Sequence, residues 1–158
     1  MKIIFSLIIF TILLFGDIVD YKNYKNLRFG NHCPDYIMTD YLKKILNDEE
    51  ISNDFVVLDV REKEEVEREP FLNDSIDFET NYINIPRGML EMKINKQEII
   101  KNKKIVIVCK SGERADWSWL TLTEMGYKNL VVLKRGINGW NNIQEIPTKF
   151  FKPINCIK

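Results

Sequence analysis

The sequence predicts an α/β domain in which helices flank a mainly parallel central sheet. Short apolar runs rich in β-branched residues recur along the chain, and segments with helical spacing separate them. The length of 158 residues is that of one domain with a substantial core. In such folds binding and catalytic groups collect where strands end and helices begin, so the residues after each run are the first candidates for a site.

Four apolar runs are predicted strands. Each is short and dominated by aliphatic residues, as expected of strands buried on both faces. The runs are "FVVLDV" (55–60), "YINI" (82–85), "KIVIV" (104–108) and "LVVL" (130–133). Pro86 ends the second run, because proline lacks the N–H group that a strand ladder needs.

Helical patterns lie between these runs. In "YIMTDYLKKILND", Thr39 or Asp40 is the expected cap. One face of that helix collects Tyr41, Leu42, Ile45 and Leu46. "GMLEMKINKQEIIKN" has helical character, and "INGWNN" predicts a short helix. In "ADWSWLTLTEM", Gly126 is the stop signal. The apolar stripe of that helix is Ala115, Trp119, Leu122 and Met125.

Two further stretches have simple interpretations. The charged run "REKEEVERE" (61–69) is typical of a helix face in solvent. "FLNDSIDFET" (71–80) fits no regular pattern and is interpreted as a surface insertion.

Composition divides the chain into four parts. Residues 1–16 are a signal peptide or N-terminal hydrophobic anchor, 17–35 a linker, 36–145 the folded domain and 146–158 a C-terminal tail. The apolar or hydroxyl run from Ile3 to Phe15 has the length of a signal-peptide core and is short of the roughly 20 residues that span a bilayer. We expect export with cleavage near Gly16, which places the protein in the periplasm if the cell is bacterial. An uncleaved leader that tethers it to the membrane is the alternative, because the cleavage region lacks a small-x-small pattern.

The charge balance and the metal-type residues exclude several classes of function. The 23 basic and 23 acidic residues cancel, and no basic stripe interleaves with aromatics, so nucleic acid is not an expected partner. Three scattered cysteines and one histidine lack the spacing of a zinc site. No metal and no cofactor are predicted.

Export changes the interpretation of Cys33, Cys109 and Cys156. In an oxidising compartment an odd number of cysteines leaves one thiol unpaired or joined to another molecule. A Cys33–Cys156 disulfide that leaves Cys109 free is one arrangement among several that the sequence allows.

Cys109 is the candidate nucleophile. It follows the strand "KIVIV" and opens the loop "CKSGER" (109–114), which leads into a helix. A loop that enters a helix turns several backbone N–H groups toward one point, and the helix dipole adds positive charge there. Ser111 and Gly112 are small enough for the backbone to curl around sulfur. We therefore expect a solvent-accessible thiol with a lowered pKa.

The residues around Cys109 narrow the chemistry. Arg114 closes the loop with a cation, and Lys110 adds a second at its mouth. His32, the one histidine, lies in the linker, so a cysteine–histidine pair of the protease kind is not expected. The phosphatase signature has more residues between cysteine and arginine than the four found here, and Glu113 opposes a phosphate dianion. A tighter loop better fits one additional sulfur atom.

Over roughly residues 36–142 the chain resembles the single-domain rhodaneses, which are thiosulfate-type sulfurtransferases. Four segments carry the resemblance in order: "VVLDVREKEE" (56–65), "INIPRGML" (83–90), "CKSGER" (109–114) and "GYKNLVVLKRGINGW" (126–140). Two positions depart from the family pattern. "SIDFETNYI" replaces a Gly-His-Ile-x-Gly-Ala stretch, and Arg135-Gly136 replaces a glycine pair.

The resemblance implies a three-layer rhodanese-like fold and a two-step transfer through a persulfide on Cys109. The donor is a small anion such as thiosulfate, and the acceptor is cyanide or a thiol. It implies substrate binding by the loop: Lys110, Ser111, Gly112, Glu113 and Arg114. Asp59 and Arg61 are expected to be mainly structural, with Arg61 also a candidate to reach the site. Arg87 either lines the pocket or lies on the surface.

Three alternatives remain open on the sequence. One is a phosphatase or arsenate reductase, against which the loop spacing argues. Another is a persulfide carrier or binding module without turnover. The third is a redox protein in which Cys109 exchanges disulfides with Cys33 or Cys156.

Overall fold

The computed structural model describes residues 33–71, 81–97, 100 and 102–141. Apart from Cys33, these residues belong to one compact unit, Pro34–Lys152. The leader 1–16, nearly all of the linker 17–35, most of the insertion 71–80 and the tail 146–158 lie outside the described residues, so the interpretations of those segments remain predictions.

Within the described part, five parallel strands form one sheet in the order β1-β5-β4-β2-β3. The strands are β1 (Asp35–Ile37), β2 (Phe55–Asp59), β3 (Tyr82–Asn84), β4 (Lys104–Val108) and β5 (Leu130–Leu133). Because all five strands run in the same direction, their carboxyl ends meet at one edge. The residues that follow Asp59, Val108 and Leu133 therefore come together there.

Helices cover both faces of this sheet. They are α1 (Thr39–Leu46), α2 (Glu49–Ser52), α3 (Lys63–Arg68), α4 (Leu90–Lys93), α5 (Glu113–Glu124) and α6 (Gly136–Trp140). Turns of 3₁₀ helix, Arg87–Met89 and Ile94–Lys96, flank α4. This confirms the predicted α/β fold with helices flanking a central sheet.

The core has two sides because side chains alternate along each strand. Val106 and Val108 of β4 belong to a cluster with Leu42 of α1 and Trp140 of α6. Ile105 and Ile107 of β4 are equally buried and face the other way. On that side α5 packs against β4 and β5, with its buried apolar residues Ala115, Trp119, Leu120 and Leu122. The central strand is thus covered on both faces, which holds its carboxyl end in a fixed position.

Several local expectations need correction. β1 lies where the sequence predicted the end of a linker and the start of a helix. The N-cap residue of α1 is Met38, not Thr39 or Asp40, and it makes no side-chain capping hydrogen bond. Tyr41 is largely exposed, so the buried face of α1 is narrower than predicted. The predicted helix over 88–102 is a short α-helix between 3₁₀ turns.

Phe71 also differs from its interpretation as part of a surface insertion. It is buried, and its ring packs on Trp140 with centroids 4.5 Å apart. The first residue of the predicted insertion is therefore part of the core.

In the ranges that the structure describes, no helix has the length and apolar character needed to cross a membrane.

Candidate active site

Cys109 lies directly after β4, at the sheet edge where the strands end. Val108 is the last residue of that strand, and α5 begins at Glu113. Between them the chain turns through Gly112, whose φ of 111° lies in the region that glycine enters without strain. The loop 109–114 thus carries Cys109 from a buried strand to the amino end of a helix of 12 residues.

Backbone amides surround the sulfur. The N–H of Gly112 donates to Sγ of Cys109 across 3.1 Å, and the amides of Ala115 and Ser111 act on the same atom. This is the ring of main-chain donors that the sequence predicts. It favours negative charge on sulfur, because each N–H group directs its positive end at that atom.

The structure contradicts the expected exposure of Cys109. The side chain is fully buried. Burial raises the pKa of the Cys109 thiol, against the opposing effects of the amides of Ala115, Gly112 and Ser111 and of the Arg114 charge. The physical reason is that removing a thiolate from water costs more than these donors return.

The loop is also held from α6. The N–H of Ile137 donates to the carbonyl of Cys109 at 2.9 Å, and the N–H of Asn138 donates to the carbonyl of Lys110 at 3.0 Å. Gly136 comes so close that a Cβ built on it lies 2.1 Å from the Cys109 carbonyl oxygen. These contacts fix the main chain directly after the Cys109 side chain.

Both loop cations pair with carboxylates of residues 62–69, which comprise α3 and its two cap residues and are called the α3 segment below. Arg114 donates from Nη1 and Nη2 to the two carboxylate oxygens of Glu65, at 2.6 and 2.7 Å. Lys110 forms an ion pair with Glu69. Hydrogen bonding to Arg114 lowers the pKa of Glu65 to about 2, and hydrogen bonding to Lys110 lowers the pKa of Glu69. The cations expected to attract an anionic donor already have partners.

Asp59 and Arg61 form a fully buried ion pair beneath the loop. Nη2 of Arg61 lies 2.7 Å from Oδ2 of Asp59, and neither side chain is exposed. The hydroxyl of Tyr82 donates to the same oxygen at 2.8 Å. Burial acts to lower the pKa of Arg61, and the bonds to Asp59 reverse this so that the pKa is raised. Nη1 of Arg61 also donates to the main-chain carbonyl of Glu69 at 2.8 Å. The burial of the pair fits the expected structural role, and Arg61 contacts the main chain of Glu69, whose side chain pairs with Lys110.

The model of the family described as "Rhodanese-like domain" matches residues 38–143, which is more than half of the chain. The chain belongs to the rhodanese-like family.

Several known proteins are similar to this rhodanese-like chain. The Bacillus subtilis (strain 168) protein named "Putative sulfur carrier protein YrkF" is 28% identical over 73% of this chain, which spans 55% of that protein. A rhodanese-related protein from Thermoplasma volcanium is 28% identical over 69% of this chain and 92% of its own, with a TM-score of 0.53. The single-domain sulfurtransferase RDL2 of Saccharomyces cerevisiae is 20% identical over 70% of this chain and 90% of its own, with a TM-score of 0.54. The last similarity bears on the fold alone.

Of the remaining predicted site residues of the rhodanese-like domain, two lie in the reactive loop and Arg87 lies apart from it. Ser111 and Glu113 lie in the loop and are half-buried, so their predicted contacts with substrate stay predictions. Arg87 does not join the loop. Its guanidinium bonds to Glu91 at 2.9 Å and to the hydroxyl of Thr121 at 2.7 Å. Thr121 lies two turns along α5 from Arg114, a rise of roughly 10 Å.

Three residues of the site were not predicted from the sequence. Glu65 and Glu69 lie in the charged run that was interpreted as a solvated face, and that interpretation is wrong for these two side chains. Their spacing of four residues, which places them on one side of a helix, is the signal that was available. Gly136 was noted as a departure from a glycine pair, and only the structure reveals its approach to Cys109.

The other cysteines and the histidine bear on the redox alternative. Cys33 is disulfide-bonded, and Cys109 is a free thiol. Positions 32 and 156 lie outside the described residues, so the Cys33–Cys156 pairing and the surface role of His32 stay predictions.

Proposed function

We propose that the protein is a sulfurtransferase that moves a sulfane sulfur from a donor to a thiophilic acceptor through a persulfide on Cys109. The observation that carries the proposal is the free thiol of Cys109, bonded to the Gly112 amide at the start of α5. Thiosulfate is the simplest donor, and cyanide or a thiol is the acceptor. Membership of the rhodanese-like family supports the reaction class.

The proposed reaction has two displacements. The Cys109 thiol loses its proton, and the thiolate attacks the outer sulfur of thiosulfate. A new S–S bond forms as the old one breaks, and sulfite leaves with the bonding electrons. The acceptor then attacks the outer sulfur of the persulfide, which yields thiocyanate from cyanide and restores the thiolate.

The loop has a separate role in each displacement. The amide of Gly112, with those of Ser111 and Ala115, stabilises negative charge on sulfur before attack and after release. The bonds from Ile137 and Asn138 keep those amides in place, so little reorganisation accompanies the change in charge. Because the Cys109 side chain is buried and burial raises the pKa of its thiol, we propose that exposure and ionisation of the thiol accompany donor binding.

Replacement of the nucleophile tests this proposal. Cys109→Ser is expected to abolish transfer of sulfur from thiosulfate to cyanide while the far-ultraviolet circular dichroism spectrum stays unchanged. Thiocyanate formation is the readout. Equal turnover by wild type and Cys109→Ser would refute the proposal, and hydrolysis of p-nitrophenyl phosphate that depends on Cys109 would point to the phosphatase alternative.

A persulfide carrier without turnover is the second candidate. Complete burial of Cys109 and its raised thiol pKa favour it, because both slow attack on small molecules in solution. The name of the Bacillus subtilis relative is in keeping with it. A persulfide that forms on Cys109 but yields negligible thiocyanate would select the carrier.

We also propose that the protein is exported, to the periplasm if the cell is bacterial, with membrane tethering through an uncleaved leader as the alternative. The apolar run from Ile3 to Phe15 and the disulfide at Cys33 support this, because disulfides persist in oxidising compartments. Cell fractionation with an amino-terminal sequence of the recovered protein tests it. Recovery of an unprocessed chain in the cytosolic fraction would contradict it.

A further inference from the structure

The α3 segment is bonded to both ends of the reactive loop. Glu65 contacts Arg114 at the end of the loop, and Glu69 contacts Lys110 directly after Cys109. Each cation is thereby matched by one carboxylate. Glu113 adds a negative charge at the start of α5.

The carboxylate of Glu65 is held in place on its own helix. One of its oxygens accepts the N–H of Glu62 at 3.0 Å, which is half of a capping box. The guanidinium of Arg114 bonds both of its oxygens. A donor anion can therefore bond only to the N–H groups of Arg114 that Glu65 leaves free, unless it displaces a bidentate carboxylate.

Glu69 is fixed from three directions. Its main-chain carbonyl accepts from the buried Arg61 at 2.8 Å, Oε1 accepts from the side-chain amide of Asn141 at 2.7 Å, and Oε2 pairs with Lys110. The side chains of Glu65 and Glu69 are about three-quarters buried, with exposures of 28% and 27%. Both carboxylates are therefore held by several partners at partly buried positions, whereas the pair Lys63–Glu67 on the same helix is exposed.

These contacts change the charge that a donor meets. The lowered pKa values of Glu65 and Glu69 keep both carboxylates ionised throughout the physiological range. Two fixed anions then offset the two loop cations, so the loop offers little net attraction to a dianion. A donor with one negative charge, or none, loses less from this cancellation because the Coulomb energy scales with its charge.

We propose that Glu65 and Glu69 are specificity-determining residues that select donors carrying at most one negative charge beside the transferred sulfur, such as organic persulfides. The inference rests on the proposed function, since it concerns the donor of the same Cys109 persulfide. Thiosulfate, a dianion, is then a slower donor than a monoanion of the same shape.

The transfer from an organic persulfide needs no oxidant. The Cys109 thiolate attacks the outer sulfur of R–S–SH, the bond between its two sulfur atoms breaks, and R–S⁻ leaves with the electron pair. Cys109 becomes Cys–S–SH. Sulfur, proton and charge are conserved, and no negative charge accumulates on the leaving group beyond that of one thiolate.

Two donors of matched shape and different charge test the proposal. Thiosulfate carries two negative charges, and methanethiosulfonate replaces one charged oxygen by a methyl group. The second-order rate constant of persulfide formation on Cys109 is measured for each donor by intact mass spectrometry under single-turnover conditions. The readout is the ratio of the thiosulfate constant to the methanethiosulfonate constant.

The variant Glu65→Gln/Glu69→Gln keeps hydrogen-bonding oxygens and removes both charges. It is expected to raise this ratio roughly tenfold. The reason is that removing both carboxylates relieves more repulsion for a dianion than for a monoanion, and the difference corresponds to about one factor of ten in rate at an intermediate dielectric constant. Glu67→Gln removes one exposed charge from the same helix and is expected to leave the ratio unchanged. The ratio is insensitive to a general loss of active protein, which scales both constants equally.

The outcomes separate the two proposals. A ratio that stays the same in the double variant, while both donors load Cys109, overturns the role of Glu65 and Glu69 and leaves the sulfurtransferase proposal intact. A ratio that rises as much in Glu67→Gln also overturns it. If neither donor loads wild type or variant, the proposed function itself fails, and the specificity inference fails with it.

Discussion

A Cβ atom on Gly136 would lie 2.1 Å from the carbonyl oxygen of Cys109 and 2.9 Å from the carbonyl carbon of Lys110. Both neighbours are main-chain atoms of the reactive loop, so no side-chain rotation relieves the contact. The φ of 55° at this glycine adds backbone strain to any larger residue. The amino end of α6 and the loop around sulfur therefore depend on glycine at position 136.

Gly136→Ala is expected to lower the free energy of unfolding by about 3 kcal/mol or more, because it adds both a main-chain clash and positive-φ strain. Two glycines provide controls for urea denaturation. Gly126 has a φ of 93° with open space around its Cβ position, so Gly126→Ala isolates the strain at about 1 kcal/mol. Gly88→Ala has neither feature and is expected to change stability by less than about 0.5 kcal/mol. Equal losses at positions 136 and 126 would show that the close approach does not matter.

The buried ion pair predicts a large penalty for removing one partner. Arg61→Met leaves the Asp59 carboxylate buried without its cation and is expected to cost about 3–5 kcal/mol of unfolding free energy. Asp59→Asn/Arg61→Met removes both charges and should recover part of that loss. Urea denaturation of the two variants measures the coupling. A double variant less stable than Arg61→Met would contradict this account of the pair.

Burial of Cys109 predicts slow and strongly pH-dependent alkylation. Because the thiol pKa is raised, the reaction with iodoacetamide should accelerate with rising pH and reach its midpoint above the usual thiol value of about 8.5. Cys109→Ser serves as the blank, since Cys33 is disulfide-bonded. Rapid alkylation with a midpoint below about 7 would instead indicate the activated, accessible thiol that the sequence predicted.

The ion pair of Glu65 with Arg114 predicts a loss of stability in acid. The pKa of Glu65 is lowered to about 2 in the folded protein, against about 4.3 for an unperturbed glutamate. The contribution of this ion pair to the free energy of unfolding is therefore complete above about pH 4.3 and is lost as the pH falls toward 2. Glu65→Gln should flatten this part of the stability curve by of order 2 kcal/mol, since the pair is partly exposed. Glu67→Gln should show the same dependence of unfolding free energy on pH as wild type.

The strand, loop and helix that carry Cys109 were predictable because their signals are local. "KIVIV" is an uninterrupted aliphatic run, and β4 covers the same residues, Lys104–Val108. Gly126 stops the pattern of α5 and takes a positive φ. β1 was missed because it is three residues long and only Ile37 is buried, so no alternation is visible.

The partners of the loop could not be predicted in the same way. Five glutamates lie between positions 61 and 69, and the sequence does not reveal which of them face the sheet edge. That depends on the turn after β2, which the buried Asp59–Arg61 pair sets. The balance between amide donors and burial at Sγ is likewise a property of packing. The direction of the Cys109 pKa shift therefore could not be predicted from the sequence.

Intact mass spectrometry of the purified protein after incubation with a sulfane donor shows whether Cys109 accepts sulfur. Wild type is expected to gain the mass of one sulfur atom, Cys109→Ser is expected to gain none, and cyanide or a thiol should remove the added atom. A wild-type protein that gains no sulfur from either thiosulfate or methanethiosulfonate, or a Cys109→Ser variant that gains as much, would contradict the transfer of sulfur to Cys109.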